Sequence, residues 1–384
     1  MKVFYVYFAM MLMILFLLEG NAFPWSLYAI LTGNLNNKPE SRATDSFNPD
    51  KDLLYLPPYE KNEFIQSIDD LSICRKKEVR KFIHLYLTSG REFLKSSIQK
   101  SYIYHGAIRE YFVQAGMPEK ISHLPLLESG FEPFAVSRSR AVGLWQFMRT
   151  TAIRLGIRSD GWIDERRHLE ISTKSAIRHL RNLHGVFGSW DLALAAYNGG
   201  AGHVKRALMK SKTTDFWKLA ESGALRPESA EFVPRFAALL IIYENQALFG
   251  VNGEIDFRED ITLGTETVHF VGRINLPELA RALGVSTDSI RKLNPELNAN
   301  VTPPYCREYS LRLPAGASEK ISASGFTPDR TPQPPRIKSH VVRPGECITS
   351  IAEKYNSRAQ LIVRYNGLKN PDIVQAGRIL YIPY

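Results

Sequence analysis

The last third of the 384-residue chain is written twice, and that repetition limits its architecture more than any other feature. Leu276, Leu279, Ala280 and Leu283 follow helical spacing, with Ile290 and Asn294 behind them. Ile348, Ile351, Ala352, Tyr355, Ile362 and Asn366 restate the pattern, each 72 positions later. Two copies are too few to stack into a solenoid, so each must close a small core of its own. Short alternating segments flank each copy: Thr267 to Val271 and Tyr309 to Leu313, then His340 to Arg343 and Ile379 to Pro383. Alternation marks strands, and the spacing between them marks helices, which gives strand–helix–helix–strand twice, at 264–315 and 339–384. Asn294 and Asn366, before Pro295 and Gly367, read as turn-formers. The Ser/Pro-rich stretch 316–338 reads as a linker.

Ahead of the repeats, residues 106–250 carry helical periodicity almost throughout and few strand signals. Ile108, Tyr111, Phe112 and Ala115 share one face before Gly116 and Pro118 stop the segment. Pro118 opens a short helix with Ile121, Leu124 and Leu127 inward and Glu128 at its end, closed by Gly130 and Pro133. Thr150 to Leu155 form another element, closed by Gly156. Ser172 is placed to cap a helix running to His184, and Ser189 to cap the helix that ends at Gly199 and Gly200. Val233 to Phe249 form the last and most apolar helix. Residues 23–105 read as an extension, irregular at first and then partly helical, with amphipathic spacing from Ile65 to Phe93. Lys2 followed by the apolar run Val3 to Leu18 is short for a bilayer span and suits the core of an export signal. Gly20 and Ala22 supply small residues for cleavage after Ala22, so residues 1–22 are expected to direct export to the periplasm or cell envelope. Membrane association is expected only if that segment is retained.

The formal net charge of +10 favours an anionic partner, but nucleic acid, anionic lipid and cell wall all remain open on charge alone. Three cysteines, Cys74, Cys306 and Cys347, form no CxxC pair, and the nine histidines show no ligand spacing, so no metal and no cofactor are expected.

Glu128 stands between an apolar helix and a Ser/Gly/Pro loop, with Gly143-Leu144-Trp145-Gln146-Phe147-Met148 close behind. Apolar and aromatic surroundings penalise a carboxylate and keep it protonated. A protonated glutamic acid near neutral pH is suited to donating its proton to a leaving oxygen.

These residues carry a resemblance. Glu128, Ser129, Phe131, Pro133, Ala135, Ser137, Ala141, Gly143, Leu144, Trp145, Gln146, Phe147 and Met148 match the catalytic signature of the family 1 lytic transglycosylases, which cleave the MurNAc–GlcNAc bond of peptidoglycan. Ala196, Tyr197, Asn198, Gly200 and Gly202 resemble the family's second motif, and Pro227, Glu228, Ser229, Phe232, Val233 and Pro234 its third. The final repeat is similar to LysM modules, which bind N-acetylglucosamine-containing glycans, and the first repeat is a weaker match. The order is that of a membrane-bound type of the family. The resemblance implies a mainly α, lysozyme-like catalytic domain over 106–250, followed by two small α+β modules of βααβ order. It implies peptidoglycan strands, and no nucleic acid, as the partner.

It also implies roles. Glu128 would be the general acid and base, Ser137 would position the substrate's N-acetyl group, and Gln146, Tyr197 and Asn198 would bind the sugar or orient Glu128. Glu228 would support the site or its own helix. Leu144, Trp145 and Phe147 would wall the site against water, although the same residues suit a core. Asp164 and Asp191 read as structural; in a hydrolytic alternative, one of them or Glu228 would position water. Arg140 stands where the family has glycine, so the loop is expected to turn differently, because a non-glycine residue resists positive φ. Cys347 stands where Thr or Ser is usual.

Overall fold

A computed structural model describes residues 72–251, 264–329, 337–366, 368 and 374–384; the apolar run read as an export signal lies outside them. The helices are α1 (Lys77–Leu87), α2 (Arg91–Gln114), α3 (Leu124–Glu128), α4 (Arg149–Arg154), α5 (Leu169–Phe187), α6 (Trp190–Gly199), α7 (Ala201–Ser211), α8 (Phe216–Glu221) and α9 (Pro227–Glu244). The chain divides into two compact units, one of residues up to 95 with 230–255, the other of 96–229 with 256–384. Among the described residues, no helix is long and apolar enough to cross a membrane.

In the first unit, α1 buries Val79, Phe82, Ile83 and Tyr86 at helical spacing. Arg235 lies 4.7 Å over the Phe82 ring and is paired with Glu231 at 2.7 Å, which also meets Lys81 at 3.0 Å. These half-exposed ion pairs orient side chains and add little stability.

In the second unit, α5 and α6 pack on each other around Ala176, Leu180, Leu183, Leu192, Ala193 and Ala196, all buried. The cap expected at Ser172 falls elsewhere. The helix begins at Leu169, His168 Nδ1 accepts from the Ile171 amide at 3.3 Å, and Ser172 is buried with its hydroxyl donating to the His168 carbonyl. Ser189 does cap α6, accepting from the Leu192 amide at 3.5 Å. The last apolar helix starts earlier than expected, at Pro227, whose fixed φ suits a first turn, and ends at Glu244.

Each repeat folds as strand–helix–helix–strand. The first has β1 (Thr265–Val271), α10 (Leu276–Leu283), α11 (Thr287–Leu293) and β2 (Glu308–Pro314), with β1 and β2 antiparallel. The second has β3 (Ile337–Val341), α13 (Ile348–Lys354), α14 (Ala359–Tyr365) and β4 (Ile379–Pro383), with β3 and β4 antiparallel. The two asparagines expected to form turns act as clamps. Asn294 Nδ2 donates to the Ile290 and Arg312 carbonyls, and its Oδ1 accepts from the Arg312 amide, at 2.8–2.9 Å. Asn366 makes the same three bonds with Ile362 and Tyr381 at 2.8 Å. A buried amide so satisfied ties the second helix to the closing strand in both copies.

The stretch read as a linker is ordered where it begins. Helix α12 (Ala317–Ser324) puts Ala317 into the first repeat's core, Ile321 and Phe326 pack against it, and Arg273 and Asp329 pair through their backbones. Composition concealed this because three apolar residues suffice to anchor so short a helix. Ile163, far earlier in the chain, is also in that core, 3% exposed. Burying an isoleucine contributes about 1.5–3 kcal/mol.

Candidate active site

Helix α3 delivers Glu128. A 3-10 turn, Glu119–His123, leads into it, and Leu124, Pro125 and Leu126 bury its inner face. Pro125 in the first turn suits helix initiation. The helix stops as Gly130 and then Phe131 take positive φ, 59° and 56°. Ser129 Oγ lies 3.0 Å from the Leu144 carbonyl and 3.3 Å from the Pro125 carbonyl, linking the acid's helix to the loop that follows.

That loop, 135–147, is folded by its own hydrogen bonds. Ser137 Oγ accepts from the Ala141 amide at 2.9 Å, and the Ser137 amide donates to the Ala141 carbonyl at 2.9 Å. Val142 and Phe147 exchange backbone bonds. Gln146 Nε2 donates to the Gly143 carbonyl at 2.9 Å and to the Ala135 carbonyl at 3.4 Å. Gly143 has φ 84°, and a Cβ there would lie 2.1 Å from the Arg166 carbonyl oxygen, so glycine is required. Arg140 adopts φ 68°. The loop makes the left-handed turn despite arginine, contrary to the expectation of a different turn; the surrounding bonds over-determine it.

Helix α6 supplies Tyr197 and Asn198. The Tyr197 hydroxyl donates to the Trp145 carbonyl at 2.7 Å. Asn198 Oδ1 accepts from Ser229 Oγ at 3.0 Å, and its Nδ2 reaches Glu228 Oε1 at 3.5 Å. Helix α9 thereby brings Glu228 to the site. The close approach needs Gly199, whose Cβ would stand 2.2 Å from Ser229 Oγ.

Burial of Glu128 pushes its carboxyl from 4.5 up to about 8, and the charge of Glu228 adds to the rise. Burial also raises the Tyr197 phenol well above its ordinary value, with the charge of Glu128 contributing. Glu128 is partly open at its surface, so a neutral acid is held where a ligand can reach it. Tyr197 stays neutral, as a donor.

The structure therefore brings Glu128, Tyr197, Asn198 and Glu228 into one electrostatic neighbourhood, with Ser137 and Gln146 on one loop joined to the acid's helix by Ser129. Leu144, Trp145 and Phe147 are at most 2% exposed and belong to the core behind the site. Trp145 stacks on Phe112 at 5.8 Å and donates to Thr173 Oγ1 at 3.0 Å, so it is no sugar platform. Asp164 is committed to Arg166, with Oδ2 to Nη2 at 2.6 Å and Oδ1 to Nε at 2.9 Å. Sequence reasoning missed Arg166, which sits in an ordinary-looking charged run, and His179, whose ring lies 5.5 Å from that of Tyr197. No spacing signal distinguishes either. Among the described residues, no group of three or more His, Cys, Asp or Glu is placed to hold a metal ion. Among the described residues, Cys306 and Cys347 form no disulfide.

The sequence around this site matches known domain families. The transglycosylase SLT domain family matches residues 112–220, the LysM-like domain of lytic transglycosylase MltD matches 264–325, and the LysM domain matches 340–383. The chain thus carries an SLT domain followed by an MltD-type LysM-like domain and a LysM domain. Among individual proteins, it is 29% identical over 268 residues to the membrane-bound lytic murein transglycosylase D of Escherichia coli K12, covering 66% of this chain and 57% of that one. It is 25% identical over 244 residues to the membrane-bound lytic murein transglycosylase F of Marinobacter nauticus, covering 58% and 45%. It is 35% identical over 99 residues to the peptidoglycan transglycosylase gp16 of Escherichia phage T7, covering 25% and 8%. The chain spans little more than half the length of the first of these relatives.

Proposed function

We propose that this chain is a lytic transglycosylase of the cell envelope that cleaves the β-1,4 bond between MurNAc and GlcNAc in peptidoglycan and leaves 1,6-anhydro ends. The observation that carries the reading is the carboxyl of Glu128, held protonated up to about pH 8 beside Tyr197. Glycosidases that use water or an enzyme nucleophile need two carboxyl groups. A transglycosylase needs one, because the sugar's own C6 hydroxyl is the nucleophile and intramolecular attack has a high effective molarity. Glu128 donates its proton to the glycosidic oxygen as the C1–O bond breaks. The resulting carboxylate then takes the proton of the C6 hydroxyl as that oxygen bonds C1. No proton is gained or lost over the cycle, and no water is consumed.

The other residues act on position and charge. The Ser137 hydroxyl, already an acceptor from Ala141, has its own proton for the N-acetyl group. Gln146, its amide nitrogen spent on the loop, presents its carbonyl oxygen. Tyr197 and Asn198 fix the floor beside the acid, and Glu228 raises the acid's affinity for its proton. The LysM domain holds the enzyme on glycan strands and raises its effective concentration there. The names of the relatives and the N-terminal apolar run support export to the envelope.

The charge of Glu228 so near Glu128 supports a second reading, a muramidase in which Glu228 directs water to C1. Mass spectrometry of digested sacculi separates the two: anhydro ends establish the transglycosylase, and reducing ends the muramidase.

A further inference from the structure

The loop carrying Ser137 and Gln146 is gripped from behind by a side chain outside every motif. Arg166 Nη1 donates to the Arg140 carbonyl at 3.3 Å and to the Phe147 carbonyl at 3.2 Å, one at the loop's tip and one at its end. Its carbonyl oxygen backs Gly143. Its Nε and Nη2 are held bidentate by Asp164, and both side chains are 9% exposed. A planar guanidinium fixed on one edge can address two carbonyls with the other, which an ammonium cannot.

Asp164 is in turn held by the first repeat. Its amide donates to the Glu296 carbonyl at 2.7 Å, Ile163 and Leu297 form an antiparallel bridge, and the Asn298 amide donates to the Trp162 carbonyl at 2.8 Å. Asn298 Nδ2 reaches the Asp160 carbonyl at 2.9 Å, and the Tyr305 hydroxyl donates to Asp160 Oδ2 at 2.5 Å. Ile163 lies inside the first repeat's apolar core. An unbroken series of bonds thus joins that repeat to the substrate loop through residues 160–166.

We infer that Arg166 is a positioning residue for the substrate loop and that the first repeat is its buttress, a working part of the catalytic domain. This rests on the assignment of Ser137 and Gln146 to the sugar. The loop needs its tip fixed from outside because Arg140 holds an unfavourable φ there. Without the guanidinium, the turn relaxes, Ser137 and Gln146 move off the sugar, and Glu128, anchored on α3, keeps its environment.

The test uses the full chain acting on purified peptidoglycan strands, with Arg166→Gln, Arg166→Lys, Ile163→Asp, Ile163→Ala and Glu128→Gln. Arg166→Gln should lower kcat/KM by about 10²-fold, mainly through KM, since misplacement of about 1 Å has effects of that size. Arg166→Lys should recover part of the loss. Ile163→Asp should repeat the KM rise with Arg166 intact, and the milder Ile163→Ala should do so to a smaller degree while staying folded. The alkaline limb of the rate profile, set by Glu128, should not move in the Arg166 and Ile163 variants. Hydrogen exchange of the Ala141 and Phe147 amides should quicken in both the Arg166 and Ile163 variants. Unchanged KM and unchanged exchange in Arg166→Gln, or in both Ile163 variants, would overturn the inference. So would a loss confined to kcat and proportional to lost thermal stability. Full activity in Glu128→Gln would instead reject the catalytic assignment itself, a separate failure.

Discussion

Replacing Glu128 with glutamine tests the acid by two independent readings. A carboxyl that ionises at about 8 when folded and at 4.5 when unfolded holds its proton more tightly in the folded chain. Between those values the folded state binds more protons, so stability falls as pH rises. The group's contribution is fully present below about pH 4.5 and is lost once pH passes 8. At about 1.4 kcal/mol per pH unit, the loss between pH 5 and pH 9 is at most about 4 kcal/mol. Glutamine has nearly the same shape and cannot ionise. The unfolding free energy of Glu128→Gln minus that of the wild type should therefore grow by a few kcal/mol over that range, every other titration cancelling in the difference. Urea titrations at five pH values measure it. Activity on sacculi should fall by at least about 10²-fold, the low end for a general acid. Wild-type kcat/KM should decline on the alkaline side near pH 8. A stability difference independent of pH would show that the carboxyl is hydrated as an ordinary surface glutamate, and the mechanism would lose its proton donor.

Glu228→Gln removes a negative charge that favours the protonated acid, so the alkaline limb of the wild-type rate profile should shift to lower pH; kinetics across pH 6–9 detect it. Arg140→Gly relieves a left-handed arginine and should raise stability by about 1 kcal/mol in urea unfolding, with the Arg166 bond to the carbonyl of residue 140 kept. In the second repeat, Cys347 caps α13: its Sγ accepts from the Ser350 amide at 3.5 Å and Ser350 Oγ accepts from the Cys347 amide at 3.1 Å. Cys347→Ser puts a stronger acceptor in that box and should stabilise the repeat by about 0.5–1 kcal/mol, read from slower exchange of the Ser350 amide.

The elements that sequence made legible are those with a period or a cap. The repeat from Leu276 and Ile348 onward, the Ser189 cap and the stop after Glu128 all rest on local rules, and each appears in the structure. The candidate site residues were legible only through motif order; their distances depend on α6 and α9 meeting at Gly199 and Ser229, a contact between segments about 30 residues apart. Trp145 leaned only slightly towards core over sugar, because an aromatic residue in an apolar run shows no sidedness until Phe112 and Thr173 are in place. Helix α12 was hidden by polar composition, and Arg140 by a steric rule that tertiary bonds overrode. Arg166 had no local signal, since a guanidinium that grips carbonyls is spelled like one that faces solvent.

Pairing between distant segments also governs the order in which a newly made chain can finish. Asp160 and Asn298 meet although 138 positions divide them, and Ile163 finds its apolar companions only among residues that leave the ribosome much later. A polypeptide interrupted before β2 would carry that isoleucine bare and the strand β1 unmatched, both adhesive surfaces. Any fragment intended to isolate the catalytic region should therefore extend through residue 329, and shorter ones should be recovered mainly as aggregates.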